Sequence, residues 1–400
     1  MGRFFERALL AVLFSFFCIS TVAQTAHFAG AQSTVADNLN GPWGIAVDRV
    51  GAVYIADEGN FRVLKETPTV QGYVQSIFVQ QATSGVSYFL PYGVATDASG
   101  DVFVLNGGDG QILKFSPTHH GYAERIIPRP ASVYGGPAGI AADLWGNIYL
   151  SFIRSSAETA LKLSPTANGY VAKPIGSGLG AFSLGVAVDI YSTVYVAALT
   201  GDLYKETPSA GGYVQSVVAS GFDDLYGVAA DPWANLYVAA FEDPTVWKET
   251  RGTGGYTKSA VASTGFSNPI AVAVDALSDL YVSDNGKNRV TVLNGLGGFF
   301  PTVEVGSNSD AAIAMLFTFD QPGTLGSTSL VTLGGGAGAE FEDSGTGSCK
   351  PGADYTAGQS CWVDVNFAPR LTGAQWGAVQ LRDSHGKVMA TGYMTGIGTR

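Results

Sequence analysis

Histidine is the side chain whose ordinary pKa suits acid–base chemistry near neutral pH, and the chain has four: His27, His119, His120 and His385. His119 and His120 occupy a Pro-Thr-x-x-Gly segment, which predicts a solvated hairpin turn. The sequence has no Gly-x-Ser-x-Gly elbow, phosphate-binding loop or His-Glu-x-x-His stretch. A nucleophile would therefore have no well-placed histidine to act as its base.

Side chains with oxygen atoms are a second source of chemistry, because Ca²⁺ takes carboxylate and amide oxygens as ligands. They recur in segments that follow short apolar stretches, namely Asp57, Asn60, Asn106, Asp109, Asp202, Glu242, Asp243, Asp284 and Asn285. Two interpretations stay open. These residues are polar loop residues on a rim, or some of them converge on a calcium ion. No other metal or cofactor is indicated.

Three aromatic residues stand at one recurring place, directly before a glycine that opens an apolar stretch: Trp43, Tyr92 and Tyr226. Aromatic faces at such a place could stack on a sugar or peptide ligand, or they could pack between structural elements. Together with Asp57, Asp109 and Asp284, these aromatics are the candidate ligand-binding residues. No catalytic residue is predicted.

The recurring glycine belongs to an internal repeat, and that repeat must position all of these residues. The first copy reads Pro42-Trp-Gly-Ile-Ala-Val-Asp48 and is followed by Val53-Tyr-Ile-Ala-Asp57. Its aspartate recurs at intervals of 42 to 49 residues, as Asp48, Asp97, Asp143, Asp189, Asp231 and Asp275. A second phrase, Lys65-Glu-Thr-Pro-Thr-Val-Gln-Gly-Tyr73, recurs in the same register.

Each repeat unit predicts four short strands with no helical periodicity between them. Glycine makes up 53 of 400 residues and charged residues only 14%, which suits short strands joined by tight turns. Six such units predict an all-β fold whose main part is a six-bladed β-propeller. Residues 27–36 parallel the fourth strand of a unit. We therefore expect them to form the outer strand of the blade built from residues 269–294.

The repeat resembles the NHL-repeat family. The resemblance rests on the first copy, on Asn60 and Arg62-Val63, and on their echo at Asp284, Asn285, Asn288 and Arg289. It covers residues 27–295 and implies a propeller, a fold that serves many functions. Calcium at the channel mouth is implied by likeness to lactonase-type propellers. Propellers of the amidating-lyase and virginiamycin-lyase types rely on histidines that this chain does not gather.

The repeat stops near residue 297, and strand-like stretches follow at residues 312–319, 329–333, 361–367, 378–382 and 387–396. They predict a small immunoglobulin-like β-sandwich. The stretch from Cys349 through Cys361-Trp-Val-Asp-Val-Asn-Phe367 is similar to modules of the choice-of-anchor D and ASH type, which implies a structural or interaction role. An oxidising compartment would join Cys349 and Cys361 in a disulfide.

The first 23 residues predict a secretory signal peptide, with Arg3 and Arg7 before an apolar run and small residues leading to Ala23. The mature chain would then divide into a propeller at residues 24–296 and a sandwich at residues 297–400. Its location would be extracytoplasmic: secreted, periplasmic or on the cell surface. No other hydrophobic segment has the length of a membrane span.

Charge and motifs together favour a binding protein. The net charge is −11, from 22 basic and 33 acidic residues without a basic cluster, so nucleic acid is not an expected partner. The main hypothesis is an exported, non-enzymatic binding or scaffold protein whose propeller funnel meets a peptide, a glycan or another protein. The alternative is a calcium-dependent lactonase or lyase, which needs at least three oxygen ligands converging in the funnel.

Overall fold

The computed structural model describes residues 25–129, 136–153, 160–179, 182–262, 265–333 and 340–400. The predicted signal peptide lies outside these ranges. Within them the regular structure is β-strand, apart from three short 3-10 helices at Glu58–Asn60, Gln81–Thr83 and Asn285–Lys287. None of these helical segments has the length or the apolarity that crossing a bilayer requires. The prediction of an all-β protein is confirmed.

The first part of the chain forms six groups of four antiparallel strands, five as separate sheets and the sixth within a larger sheet. The strands up to residue 294 are β1 (Ala26–Ala36), β2 (Pro42–Val47), β3 (Val53–Asp57), β4 (Arg62–Thr69), β5 (Gly72–Gln80), β6 (Pro91–Thr96), β7 (Val102–Asn106), β8 (Ile112–Thr118), β9 (Gly121–Ile127), β10 (Gly136–Ala142), β11 (Ile148–Ile153), β12 (Ala160–Thr166), β13 (Gly169–Ile175), β14 (Ser183–Val188), β15 (Val194–Ala198), β16 (Leu203–Ser209), β17 (Gly212–Ala219), β18 (Leu225–Ala230), β19 (Leu236–Ala240), β20 (Val246–Gly252), β21 (Gly255–Ala262), β22 (Pro269–Val274), β23 (Leu280–Asp284) and β24 (Arg289–Asn294). Strand order within each group follows the repeat, with β1 completing β22-β23-β24.

The repeated aspartate makes the turn between the first two strands of each group. In the first copy, Asp48 Oδ1 accepts hydrogen bonds from the backbone N–H groups of Val50, at 3.0 Å, and Ala52, at 2.9 Å. The other five aspartates accept from the residues two and four positions ahead in the same way. A short acceptor that bends its own backbone explains why aspartate recurs there. These six carboxylates are structural.

The core lies between neighbouring sheets. The second strand of each group is buried almost throughout, for example all of β3 and β7. Each of five apolar clusters joins two groups that are successive in the chain. A sixth cluster joins the last group to the first, with Tyr281 and Val292 packed against Ile45 and Val53. Repeated four-stranded sheets that pack face to face in this way form a β-propeller.

Strand β1 is the outer strand of the last group, as the sequence predicts. It pairs antiparallel with β24, from Ala31 opposite Asn294 to Ala36 opposite Val290. Its other edge pairs with a strand of the C-terminal part, starting at Ala26 opposite Phe319. One seven-stranded sheet therefore runs from the propeller into the C-terminal part, and β1 belongs to both.

The C-terminal part consists of two facing sheets. Its strands are β25 (Gly298–Phe299), β26 (Val303–Glu304), β27 (Ile313–Phe319), β28 (Gly323–Leu333), β29 (Phe341–Asp343), β30 (Asp354–Tyr355), β31 (Ser360–Phe367), β32 (Gly373–Asp383) and β33 (Val388–Thr399). One sheet continues from β1 as β27-β31-β29, and the other has the order β25-β33-β32-β28-β30. Phe317 and Val363 of the first sheet meet Leu381 and Met394 of the second in one core.

The five strand-like stretches predicted for the C-terminal part correspond to β27, β28, β31, β32 and β33. The predicted disulfide between Cys349 and Cys361 is also present. It joins the start of β31 to the segment between β29 and β30, and both cysteines are buried in the core of this part. A disulfide is compatible with a protein that folds outside the cytoplasm.

Candidate functional site

The first strands of all six groups line a cavity on the axis of the propeller. They approach each other closely because of the repeated glycine. A Cβ atom on Gly139 would lie 2.2 Å from the carbonyl oxygen of Leu184, and one on Gly44 would lie 2.6 Å from the Cα of Gly93. The cavity is consequently small, at ≈ 80 Å³. Since one water needs about 10–15 Å³ of such space, the narrow part between the strands has room for a few waters.

Aromatic rings meet at the mouth of this cavity, and three of them are the predicted ones. Trp43 and Tyr92 are stacked, with ring centroids 5.1 Å apart and an interplanar angle of 18°. Tyr226 lies 6.2 Å from Trp43 on another side. Phe241 extends the group, because it stacks on Tyr226 at 5.1 Å. All four side chains are half-buried, so each contributes to packing and still presents part of its ring to solvent. We call these four residues the aromatic platform.

Carboxylates flank the platform. Burial raises the pKa of Tyr92, and the nearby charge of Glu58 adds to the effect. Burial likewise raises the pKa of Tyr226, with a contribution from Asp224. The pKa of Glu58 is itself raised by burial. The tyrosine hydroxyls are therefore neutral hydrogen-bonding groups at physiological pH, and the surroundings of the platform disfavour an anionic ligand.

The predicted acidic candidates lie outside the lining of the axial cavity: Asp57 and Asp284 are the last residues of β3 and β23, and Asp109 lies in the loop after β7. Asp57 is fully buried, and its carboxylate is occupied on both oxygens. One oxygen accepts from the backbone N–H of Asn40 at 2.7 Å, and the other accepts from Arg62 Nε at 2.7 Å and from Asn60. This arrangement holds the loop after β3. These contacts give Asp57 a structural role.

Several of the remaining oxygen-bearing candidates are also engaged in structural hydrogen bonds. Asp109 accepts from Asn106 Nδ2 at 2.8 Å and from a backbone N–H. Asp284 accepts from the backbone N–H groups of Ser267 and Asn268. Asp202 and Asp243 accept hydrogen bonds from groups close to them in sequence, whereas Asn285 Nδ2 donates to the carbonyl oxygen of Pro42 at the start of β2. Within the part of the chain that the structure describes, no three His, Cys, Asp or Glu side chains gather in a way that could hold a metal ion.

The histidines lie apart from the aromatic platform. His27 pairs through Nδ1 with Asp320 at 2.9 Å, which ties β1 to the end of β27. His119 and His120 form the hairpin turn between β8 and β9, as predicted. His385 lies in the turn between β32 and β33.

Sequence reasoning did not identify Phe241 or the flanking carboxylates Glu58 and Asp224. Phe241 directly follows β19, one residue beyond the repeated strand motif, so the repeat carries no signal for it. Three exposed aromatics were also not singled out: Trp145, Tyr191 and Trp233, which are 61%, 62% and 64% exposed. They stand two residues after the repeated aspartate, a position that the sequence does show, at the opposite ends of the inner strands from the platform.

Comparison with known proteins agrees with this geometry. A gluconolactonase from Xanthomonas campestris is 14% identical to the chain, covers 66% of it with 89% of its own length, and superposes with a TM-score of 0.52. A streptogramin B lyase is 12% identical and covers 67% of this chain and 98% of its own, with a TM-score of 0.49. At such low identity, the likeness to the gluconolactonase shows the propeller fold and nothing about activity.

The family model of the NHL repeat matches residues 39–65. The matched segment includes β2, β3 and the first half of β4, together with Trp43 and Asp57. None of the curated proteins compared with the chain matches it.

Proposed function

We propose that this chain is an exported, non-enzymatic binding or scaffold protein, and that the aromatic platform receives a flat group of its ligand. The ligand would be a glycan, a peptide or a partner protein that offers a sugar ring, a proline or an aromatic side chain. The supporting architecture would be a six-bladed propeller at residues 24–296 and an immunoglobulin-like sandwich of the choice-of-anchor D or ASH type at residues 297–400. Residues 1–23 would direct export and be removed.

The observation that carries this proposal is the combination of an accessible platform and a narrow channel. Trp43, Tyr92, Tyr226 and Phe241 present partly exposed rings, while the cavity behind them is ≈ 80 Å³. A binding surface needs only complementary contact area at such rings. An enzyme needs space for a substrate beside its reactive groups.

The enzymatic alternative is a calcium-dependent lactonase or lyase. The fold likeness to a gluconolactonase keeps it in view, but its oxygen ligands would have to be released from their loops. Asp57 would have to give up Arg62, and Asp109 would have to give up Asn106. Breaking the ion pair of the buried Asp57 carboxylate is costly. The contacts of these residues therefore favour binding.

The test uses the mature chain, residues 24–400, on glycan and peptide arrays, with each hit remeasured by titration calorimetry. We expect Trp43→Ala to weaken a true hit at least tenfold, which is the usual loss when a central aromatic anchor is truncated. Trp233→Ala is the matched control. Trp233 is the same residue type, is 64% exposed, and lies in the turn between β18 and β19, at the opposite ends of the inner strands from the platform.

Two results would contradict the proposal. Loss of binding with Trp233→Ala but not with Trp43→Ala would place the ligand on the opposite face. Calcium-dependent hydrolysis of lactones that Asp57→Asn abolishes would establish the enzyme.

A further inference from the structure

A second site is indicated by comparing the first and the last group of strands in the propeller. Strands β3 and β4 of the first group are joined by the segment from Asp57 to Arg62, and β23 and β24 of the last group by the corresponding segment from Asp284 to Arg289. Both segments contain a 3-10 turn and then a residue in the left-handed region, Phe61 at φ 53° and Asn288 at φ 51°. The two arginines thus start from the same backbone geometry.

The two arginines nevertheless have different partners. In the first group Arg62 Nε donates to Asp57 at 2.7 Å. In the last group Arg289 Nε is buried and has no hydrogen-bond partner. Its Nη2 instead donates to the carbonyl oxygen of Gly265, at 2.5 Å. The last group therefore lacks the ion pair of the first group, and its arginine contacts a backbone carbonyl instead.

A second cation joins Arg289. Lys287 occupies the place that Asn60 has in the first group, and its Nζ donates to the same carbonyl of Gly265, at 2.6 Å. Within the described residues, neither Lys287 nor Arg289 forms an ion pair. Two positive charges on one carbonyl oxygen are not neutralised by it. In a chain of net charge −11, this local excess of positive charge would attract a negative group.

These cations stand on the wall of a groove of ≈ 290 Å³ between the propeller and the C-terminal part. The floor is the shared sheet, where Gln32 of β1 lies opposite Ala314 of β27, and Ala314 lies opposite Asp364 of β31. Thr291 of β24 also lines the groove. It is 1% exposed and its hydroxyl has no partner, although buried hydroxyls are normally hydrogen-bonded.

The part of the floor that β31 supplies has a different chemistry. Trp362 presents a half-buried indole, and its Nε1 donates to Asp364 Oδ2 at 3.2 Å. Thr346 donates to the same oxygen at 2.8 Å. Asp364 Oδ1 is left as an acceptor for a ligand hydroxyl. The groove thus offers two cations at one end, a ring-stacking surface at the other, and amide and hydroxyl groups between them.

We propose that this groove binds an acidic sugar residue, a uronate, within a polysaccharide. The carboxylate would contact Lys287 and Arg289, the ring would lie against Trp362, and a ring hydroxyl would donate to Asp364. A simple carboxylate would leave Trp362 unused. A phosphate-bearing ring would bring more negative charge towards Asp364. The site does not depend on the aromatic platform, from which it differs in charge and in the strands that build it.

The experiment measures binding of galacturonate trimers to the mature chain by titration calorimetry, in parallel with a neutral glucose trimer and with AMP. We expect the galacturonate trimer to bind, and 0.5 M NaCl to weaken it because salt screens exposed charges. Arg289→Gln and Lys287→Asn should each weaken it at least tenfold, since each removes one charged hydrogen bond. Lys287→Asn reproduces the residue found in the first group, so its backbone is compatible with the change.

Arg62→Gln is the matched control, because it removes the equivalent arginine of the first group and should leave affinity for the trimer unchanged. Trp43→Ala should also leave it unchanged, which separates this site from the platform. Equal affinity for the neutral trimer, tighter binding of AMP, no binding at 10 mM ligand, or equal affinity of the Lys287→Asn variant would each overturn the proposal.

Discussion

Glu206 is a buried carboxylate without a hydrogen-bond partner, and its contribution to stability depends on pH in a direction opposite to that of a paired carboxylate. It lies on β16, facing the neighbouring sheet, and is 0% exposed. Neither of its carboxylate oxygens has a hydrogen-bond partner. One of them lies 2.5 Å from the point where a Cβ of Gly176 would be, so the carboxylate is covered by the turn after β13. Burial raises its pKa from 4.5 to about 7.

The sign of the effect follows from proton binding. Below pH 4.5 the carboxyl is neutral in the folded and the unfolded chain, and burial costs little. Between pH 4.5 and about 7 the unfolded chain loses the proton while the folded chain keeps it, so the free energy of unfolding falls. Above about pH 7 the loss is complete. The difference between the two pKa values corresponds to roughly 3 kcal/mol, as an upper limit.

The perturbation is Glu206→Gln, which keeps the shape and removes the charge. Urea unfolding followed by tryptophan fluorescence at pH 5 and pH 8.5 is the assay. At pH 5 the variant and the parent should have similar midpoints. At pH 8.5 the variant should be more stable by up to about 3 kcal/mol. Glu342→Gln, at an exposed position on β29, is the control and should show no such difference.

Other buried carboxyls, such as Glu66 and Glu249, also have pKa values raised by burial, so the parent's pH dependence is a sum. The difference between parent and variant isolates the contribution of Glu206. An equal midpoint at pH 8.5, or a difference that is the same at both pH values, would show that the carboxylate is not buried without compensation.

Two further predictions concern the framework. Replacing Cys349 and Cys361 together by serine should lower the stability of the C-terminal part by about 3 kcal/mol, as expected for opening a loop of this length; thermal melts with and without reductant check it, and no change on reduction would contradict it. Gly139→Ala should prevent correct folding, because the new Cβ meets the Leu184 carbonyl, whereas Gly211→Ala, with no atom within 4 Å, should not. Yield of soluble protein and circular dichroism distinguish these outcomes.

Much of the fold could be predicted because the same strand and turn motifs recur in each copy of the repeat. The Asp-turns, the strands between them and the hairpin at His119 and His120 depend on interactions within a few residues, and such local patterns are visible in sequence. The role of β1 was predictable for the same reason, since its sequence parallels a fourth strand. The meeting of Trp43, Tyr92 and Tyr226 followed from their shared place in the repeat.

The partners of individual side chains depended on which groups the tertiary structure brings together. Arg62 and Arg289 have the same local sequence context, yet one pairs with Asp57 and the other turns to Gly265. Glu206 has the same motif as Glu66, but only Glu66 accepts a hydrogen bond, from Gln75 at 2.7 Å. The tertiary structure also decided that β1 joins β27, and that the inner strands leave only a small cavity on the axis. Repeat periodicity determines which face of a strand is buried, but only packing between distant strands determines what that face meets.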